Sequence, residues 1–311
     1  MQALNRAARS SYYRMKPFLP RRLQIVLRRK QITLKRKKYT HCWPILREAG
    51  KPPEGWRGWP DGKKFALILT HDVDMARGYR RCRDLMQLEQ KMGFRSSINF
   101  VPERYAVSSG LRRELERNGF EIGVHGLNHD GKLFQSKKIF DGRCVKINRY
   151  LQQWNSVGFR APAMHHNLDW IRDLNIEYDL STFDTDPFEP QSDGARTIYP
   201  FRVDGTPSGN GYVEMPYTLP QDFTLFVLMR ERNIDIWIQK LNWLAGAGGM
   251  VLVNTHPDYM NFNDGRLRAD EYPAEHYEAF LKHLLDTYPG QYWHMLPREM
   301  AAFWKNRLSR R

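Results

Sequence analysis

From residue 64 onward, short apolar runs alternate with stretches whose apolar residues recur at helical spacing, and this alternation most narrows what the chain can become. "KFALILT" reads as a strand. Residues 78–92 read as a helix, with Tyr79, Cys82, Leu85, Met86 and Met92 at helical spacing. "RSSINFV", "FEIGV", "VGFRAP" and "IEYDLST" read as the next strands. Between them lie helices at "LRRELERNG", with Gly119 as its stop, at 136–154 and at "NLDWIRDLN". After an irregular stretch come "YVEMPY", a helix over 233–246, the strand "GMVLVNTH" and a helix over 274–287. "YWHML" offers a last short strand before a C-terminal helix. Parallel strands need crossover connections, which the helices supply, so the sheet is expected to be mostly parallel. Roughly seven such units favour a closed or nearly closed α/β barrel over an open sheet.

The polar residues then fall at strand ends. Asp72 and Asp74 follow the first strand, His125 and His129 the third, Arg160 the fourth, Asp179 and Ser181 the fifth, and His256 the strand "MVLVNTH". In α/β barrels the carboxyl ends of the strands build the active-site face. In "HGLNH" the i, i+4 spacing would put both imidazoles on one side of a helical turn, within reach of one cation. Asp74 would complete a set of two histidines and one carboxylate. Three protein ligands leave room for water and substrate. Zinc is the simplest occupant; iron, cobalt and nickel accept the same ligands.

The order "THDVD", "HGLNH", "FRAP", "YDLS", "NTHP" over about residues 65–260 resembles the motifs of the polysaccharide deacetylase family, the NodB-homology carbohydrate esterases. The resemblance implies a distorted (β/α)7 barrel that removes N-acetyl groups from glycans with a divalent metal. It implies that Asp72 is the general base, that Asp74, His125 and His129 hold the metal, and that Arg160 fixes Asp72. It further implies that His256 is the general acid, oriented by Asp179, and that the backbone N–H near Ala163 helps bind the oxyanion. The family's acids are usually adjacent, whereas Val73 separates them here. Residues i and i+2 of a strand share a face, so both can reach the site, with base and ligand roles interchangeable between them. Gly126, Ala163 and Met164 also depart from the family's usual residues, which suggests a branch distinct from the typical chitin or peptidoglycan enzymes. A hydrolase of a small cyclic amide on the same fold is the alternative, as is a glycan- or membrane-surface-binding protein without turnover.

Charge separates residues 1–60, a basic extension and linker, from a catalytic domain at 61–311. Residues 1–41 hold 13 Lys or Arg and no acid, which leaves 36 basic and 34 acidic residues elsewhere despite a net charge of +15. Leu23, Ile25, Val26, Leu27, Ile32 and Leu34 interleave with these cations. Such a segment suits an anionic membrane surface, an acidic glycan or nucleic acid, or else packs as an arm on its own domain. The near-neutral remainder weighs against nucleic acid. Three scattered cysteines suit a reducing compartment, and no apolar run spans a membrane or forms a secretory signal. The expected location is therefore cytoplasmic, with the basic segment able to hold the enzyme at the inner membrane face, where lipid-linked sugar intermediates are made. His71 is expected to be structural or to support the site's acids from behind, Asp184 and Asp186 to lie in turns, and Trp237 and Trp243 to be core residues.

Overall fold

The computed structural model describes residues 21–205, 211–263 and 265–308. The strands are β1 (Phe65–Val73), β2 (Ser97–Phe100), β3 (Glu121–His125), β4 (Gly158–Arg160), β5 (Tyr178–Asp179), β6 (Phe201–Val203), β7 (Tyr212–Glu214), β8 (Met250–Thr255), β9 (Met260–Asn261), β10 (Tyr272–Pro273) and β11 (Tyr292–His294). The helices are α1 (Arg21–Arg36), α2 (Ala76–Lys91), α3 (Ser109–Arg117), α4 (Lys137–Gln153), α5 (Leu168–Ile171), α6 (Asp235–Ala247), α7 (Glu275–Thr287) and α8 (Pro297–Leu308).

All nine residues of β1 are buried, as expected of a strand covered on both faces. It pairs in parallel with β8, β2 and β11. From β2 the order runs β3, β4, β5, β7, every pair parallel, and β6 joins β7 antiparallel. The curled sheet comes back toward β8 where the Thr218 and Leu219 N–H groups both donate to the Leu252 carbonyl. The result is the expected distorted (β/α)7 barrel. Two features were not expected: the antiparallel β6–β7 edge, and a π-helix over Phe223–Met229. Conversely, "IEYDLST" contributes only Tyr178–Asp179 as strand, and the helix in "NLDWIRDLN" is four residues long.

Of the readings open for the basic segment, its described part packs on the domain. Ile25 and Ile32 of α1 lie in the main apolar core together with Trp43, Leu46, Ala49 and Trp59. Arg29 Nε donates to the Val227 carbonyl, within the π-helix, at 2.9 Å. No described helix is long and apolar enough to cross a membrane.

Candidate metal and proton-transfer site

β1 delivers both acids to the mouth of the barrel. Val73 turns into the core, with Asp72 and Asp74 on either side of it, 2% and 7% exposed. Asp72 Oδ1 accepts from Asn99 Nδ2 at 2.9 Å and from an Arg160 guanidinium nitrogen at 3.0 Å, and its Oδ2 accepts from Asn254 Nδ2 at 3.0 Å. Burial opposes ionisation of Asp72. The Arg160 guanidinium, helped by His125 and His256, outweighs it and holds the carboxyl well below its usual range. Arg160 is itself buried and aimed by donating through Nε to the Leu180 carbonyl at 2.9 Å. Gly123 on β3 makes the space for Asn99, since a Cβ there would stand 1.9 Å from Asn99 Oδ1.

Asp74 faces the two histidines. Its Oδ1 is buried without a well-formed hydrogen bond, although His129 Nε2 and His125 Nε2 stand 2.9 and 3.4 Å away. His125 Nδ1 is 3.0 Å from the Arg160 carbonyl oxygen, an acceptor only, so Nδ1 donates there and Nε2 is the ring nitrogen turned toward Asp74. Burial lowers the His129 pKa despite the nearby Asp74, which favours a neutral imidazole. One oxygen and two nitrogens within 4.8 Å of one another are a donor set that can hold a divalent cation. The orphaned Asp74 oxygen and the fixed His125 tautomer fit that reading. The convergence does not come from a helical turn: after His125 the chain turns at Gly126 (φ 60°), and His129 itself has φ 54°. Gly126 packs on the Pro162 ring, 2.5 Å from where a Cβ would stand. Ala163 and Met164 follow with φ of 56° and 52°, a strain of about 1–3 kcal/mol each.

His256 stands at the end of β8, and Asp222, not Asp179, orients it. Asp222 Oδ1 lies 2.7 Å from His256 Nδ1, and Oδ2 accepts the His256 backbone N–H at 2.8 Å and the Tyr272 hydroxyl at 2.9 Å. Burial alone would lower the His256 pKa; Asp222, with Asp74 and Asp72, raises it to about 10. Asp179 instead accepts from Ser181 Oγ at 2.6 Å and lies against Glu214. Burial raises both of these carboxyls, and their mutual repulsion adds to the rise at Glu214, so the pair favours a shared proton. The pair joins the ends of β5 and β7, and there Ser181 Oγ also accepts the Ala161 N–H at 2.8 Å.

The sequence reading missed Asp222, Asn99, Asn254 and Asp258. Asp258 accepts the N–H groups of Asp74 (2.6 Å), Met75 (3.0 Å) and Gly78 (2.9 Å) and so ties the Asp74 loop to α2. Asn254 and Asp258 sit inside "NTHPD", where the signal was available; Asp222 had only its place before the apolar run "FTLFVLM". His71 is structural as expected, bonded to Thr255 at 2.7 Å and Glu89 at 2.8 Å. Asp184 is buried in a 2.5 Å pair with Lys240, and Asp186 accepts from Tyr217 at 2.9 Å. Trp237 is core, and Trp243 packs half-buried against it.

No family model and no curated protein matches the sequence. Solved structures do. A protein described as a candidate polysaccharide deacetylase from Mycobacterium smegmatis superposes with TM-score 0.61 at 17% identity over 83% of this chain and 96% of its own. Puue allantoinase gives 0.62 at 15% over 82% and 94%. A "probable Polysaccharide deacetylase" from Pseudomonas aeruginosa PAO1 gives 0.60 at 15% over 82% and 95%. The barrel of this chain is therefore the fold found in polysaccharide deacetylases and in that allantoinase.

Proposed function

We propose that the protein is a metal-dependent hydrolase that removes N-acetyl groups from a sugar, carried on a glycan or on a nucleotide- or lipid-linked precursor. The observation that carries this reading is that two buried carboxylates, Asp72 and Asp74, lie 4.0 and 3.4 Å from the two different ring nitrogens of one imidazole, His125. Asp74, His125 and His129 would hold a divalent cation, zinc in the simplest case, which supplies Lewis acidity toward the amide carbonyl and toward water. Asp72 accepts from Arg160, Asn99 and Asn254, keeps one of its about four lone-pair sites for water, stays ionised, and accepts the proton of the attacking water. His256 is held protonated through Asp222 and donates from Nε2 to the departing amine, because Nδ1 is engaged. The strained Ala163 turn offers its N–H to the oxyanion. Three free cysteines, Cys42, Cys82 and Cys144, fit a cytoplasmic setting.

The likeness to Puue allantoinase favours a second reading, hydrolysis of a small cyclic amide by the same groups. Acetate release from N-acetylhexosamine compounds, run beside allantoin opening, separates the two. Turnover of allantoin without acetate release overturns the first reading.

A further inference from the structure

Helix α1 is apolar on two faces. One face buries Ile25 and Ile32, and a helix docked in this way is expected to be polar on the other. Instead Leu23, Leu27 and Leu34 project into solvent at 43%, 47% and 71% exposure, with Val26 at 55% on the flank. At 100° per residue, Leu23, Leu27, Lys30 and Leu34 fall within about 60° of arc. On the flank of the helix, toward the Ile25 side and away from the stripe, opens a cavity of about 920 Å³, walled by Ile25, Leu267, Ala269, Arg77, Arg266, Arg268 and the acid Asp270. Arg77 is committed to Asp270 at 3.0 Å. Arg266 and Arg268 are exposed, and their side chains make no ion pair among the described residues. An Arg29 guanidinium nitrogen donates to the Ala269 carbonyl at 2.9 Å, which ties the exposed arginine loop to the flank of the helix.

We propose that this surface docks the protein on an anionic phospholipid bilayer. The leucine stripe enters the boundary between headgroups and acyl chains, while Arg266, Arg268 and Lys30 meet the phosphates. The absence of any acid in residues 1–41 gives the charge complementarity. A nucleic acid would satisfy the arginines but leave three exposed leucines against a phosphodiester backbone. Helix α2, which carries Arg77, begins two residues after Asp74, so docking brings the mouth of the barrel toward the lipid. The inference stands apart from the reaction proposed above.

Flotation of the full chain with vesicles of phosphatidylcholine, alone or mixed with phosphatidylglycerol, tests it. The protein is expected to float with the mixed vesicles only, and to be released by salt. Leu27→Ser with Leu34→Ser, and separately Arg266→Ser with Arg268→Ser, change exposed side chains; each pair should keep the wild-type thermal transition and lower partitioning about tenfold. Failure to float with mixed vesicles at low salt overturns the proposal. So does wild-type flotation by both paired variants, or displacement of the vesicles by single-stranded RNA. Acetate release from a soluble sugar, measured in parallel, reports on the reaction alone.

Discussion

His256 Nδ1 and Asp222 Oδ1 lie 2.7 Å apart, and the second Asp222 oxygen holds the backbone N–H of the same histidine at 2.8 Å. The carboxylate thus sets both the ring and the main chain that carries it. The imidazolium loses its proton as pH rises through about 10, so activity that needs a proton donor should fall on the alkaline side. Asp222→Asn should bring that alkaline limb to lower pH and lower kcat about 100-fold. A pH–rate profile checks it; an unmoved limb would assign the donor elsewhere.

Metal content should divide the site residues into two groups. His125→Ala and Asp74→Asn are expected to lose stoichiometric metal, while Asp72→Asn keeps it and loses about 10²–10⁴-fold in rate. Elemental analysis of the purified variants beside the wild type decides it. Retained metal in Asp74→Asn with loss in Asp72→Asn would exchange the two roles.

Arg160 and Asp72 are both buried, 3.0 Å apart. Arg160→Met leaves a buried carboxylate without its partner and should cost about 3–5 kcal/mol of stability in a denaturant titration. Asp72 has a lowered pKa in the folded state. Its stabilising contribution is therefore present above the ordinary carboxylate pKa of 3.8 and is lost as pH falls below it. Acid unfolding should show a weaker pH dependence in Asp72→Asn than in wild type.

Gly123→Ala places a methyl 1.9 Å from Asn99 Oδ1, within β3 and against β2, where neither strand can retreat. Overpacking of this kind costs about 1–3 kcal/mol. It should also remove the Asn99 hydrogen bond to Asp72, so that kcat falls together with the thermal midpoint. A variant with unchanged rate would show that Asn99 does not position Asp72.

The alternation of apolar runs and helices was legible because burial on both faces makes β1 and β8 continuous apolar strings, whatever lies beside them. Asp72, Asp74, His125, His129, Arg160 and His256 were legible for a related reason: polar residues directly after such strings have nowhere to go but the strand ends. The antiparallel β6 was hidden because Phe201–Val203 is three residues long with one face exposed, too little for any period to register. The solvent-facing leucines of α1 were visible as residues, but which face met the core was not.

The sequence by itself determined the parallel barrel and the identity of the groups at its mouth, since periodicity and residue chemistry are properties of the chain. Only the tertiary structure decided which carboxylate serves His256. The resemblance in sequence pointed to Asp179, and Asp222 carried no signal beyond its place before an apolar run. Packing sends Asp179 against Glu214 between the ends of β5 and β7, where burial of two carboxyls favours a shared proton. The chain before the π-helix carries Asp222 to the end of β8 instead. A contact across 34 residues of sequence is set by the closure of the sheet, which no local pattern encodes.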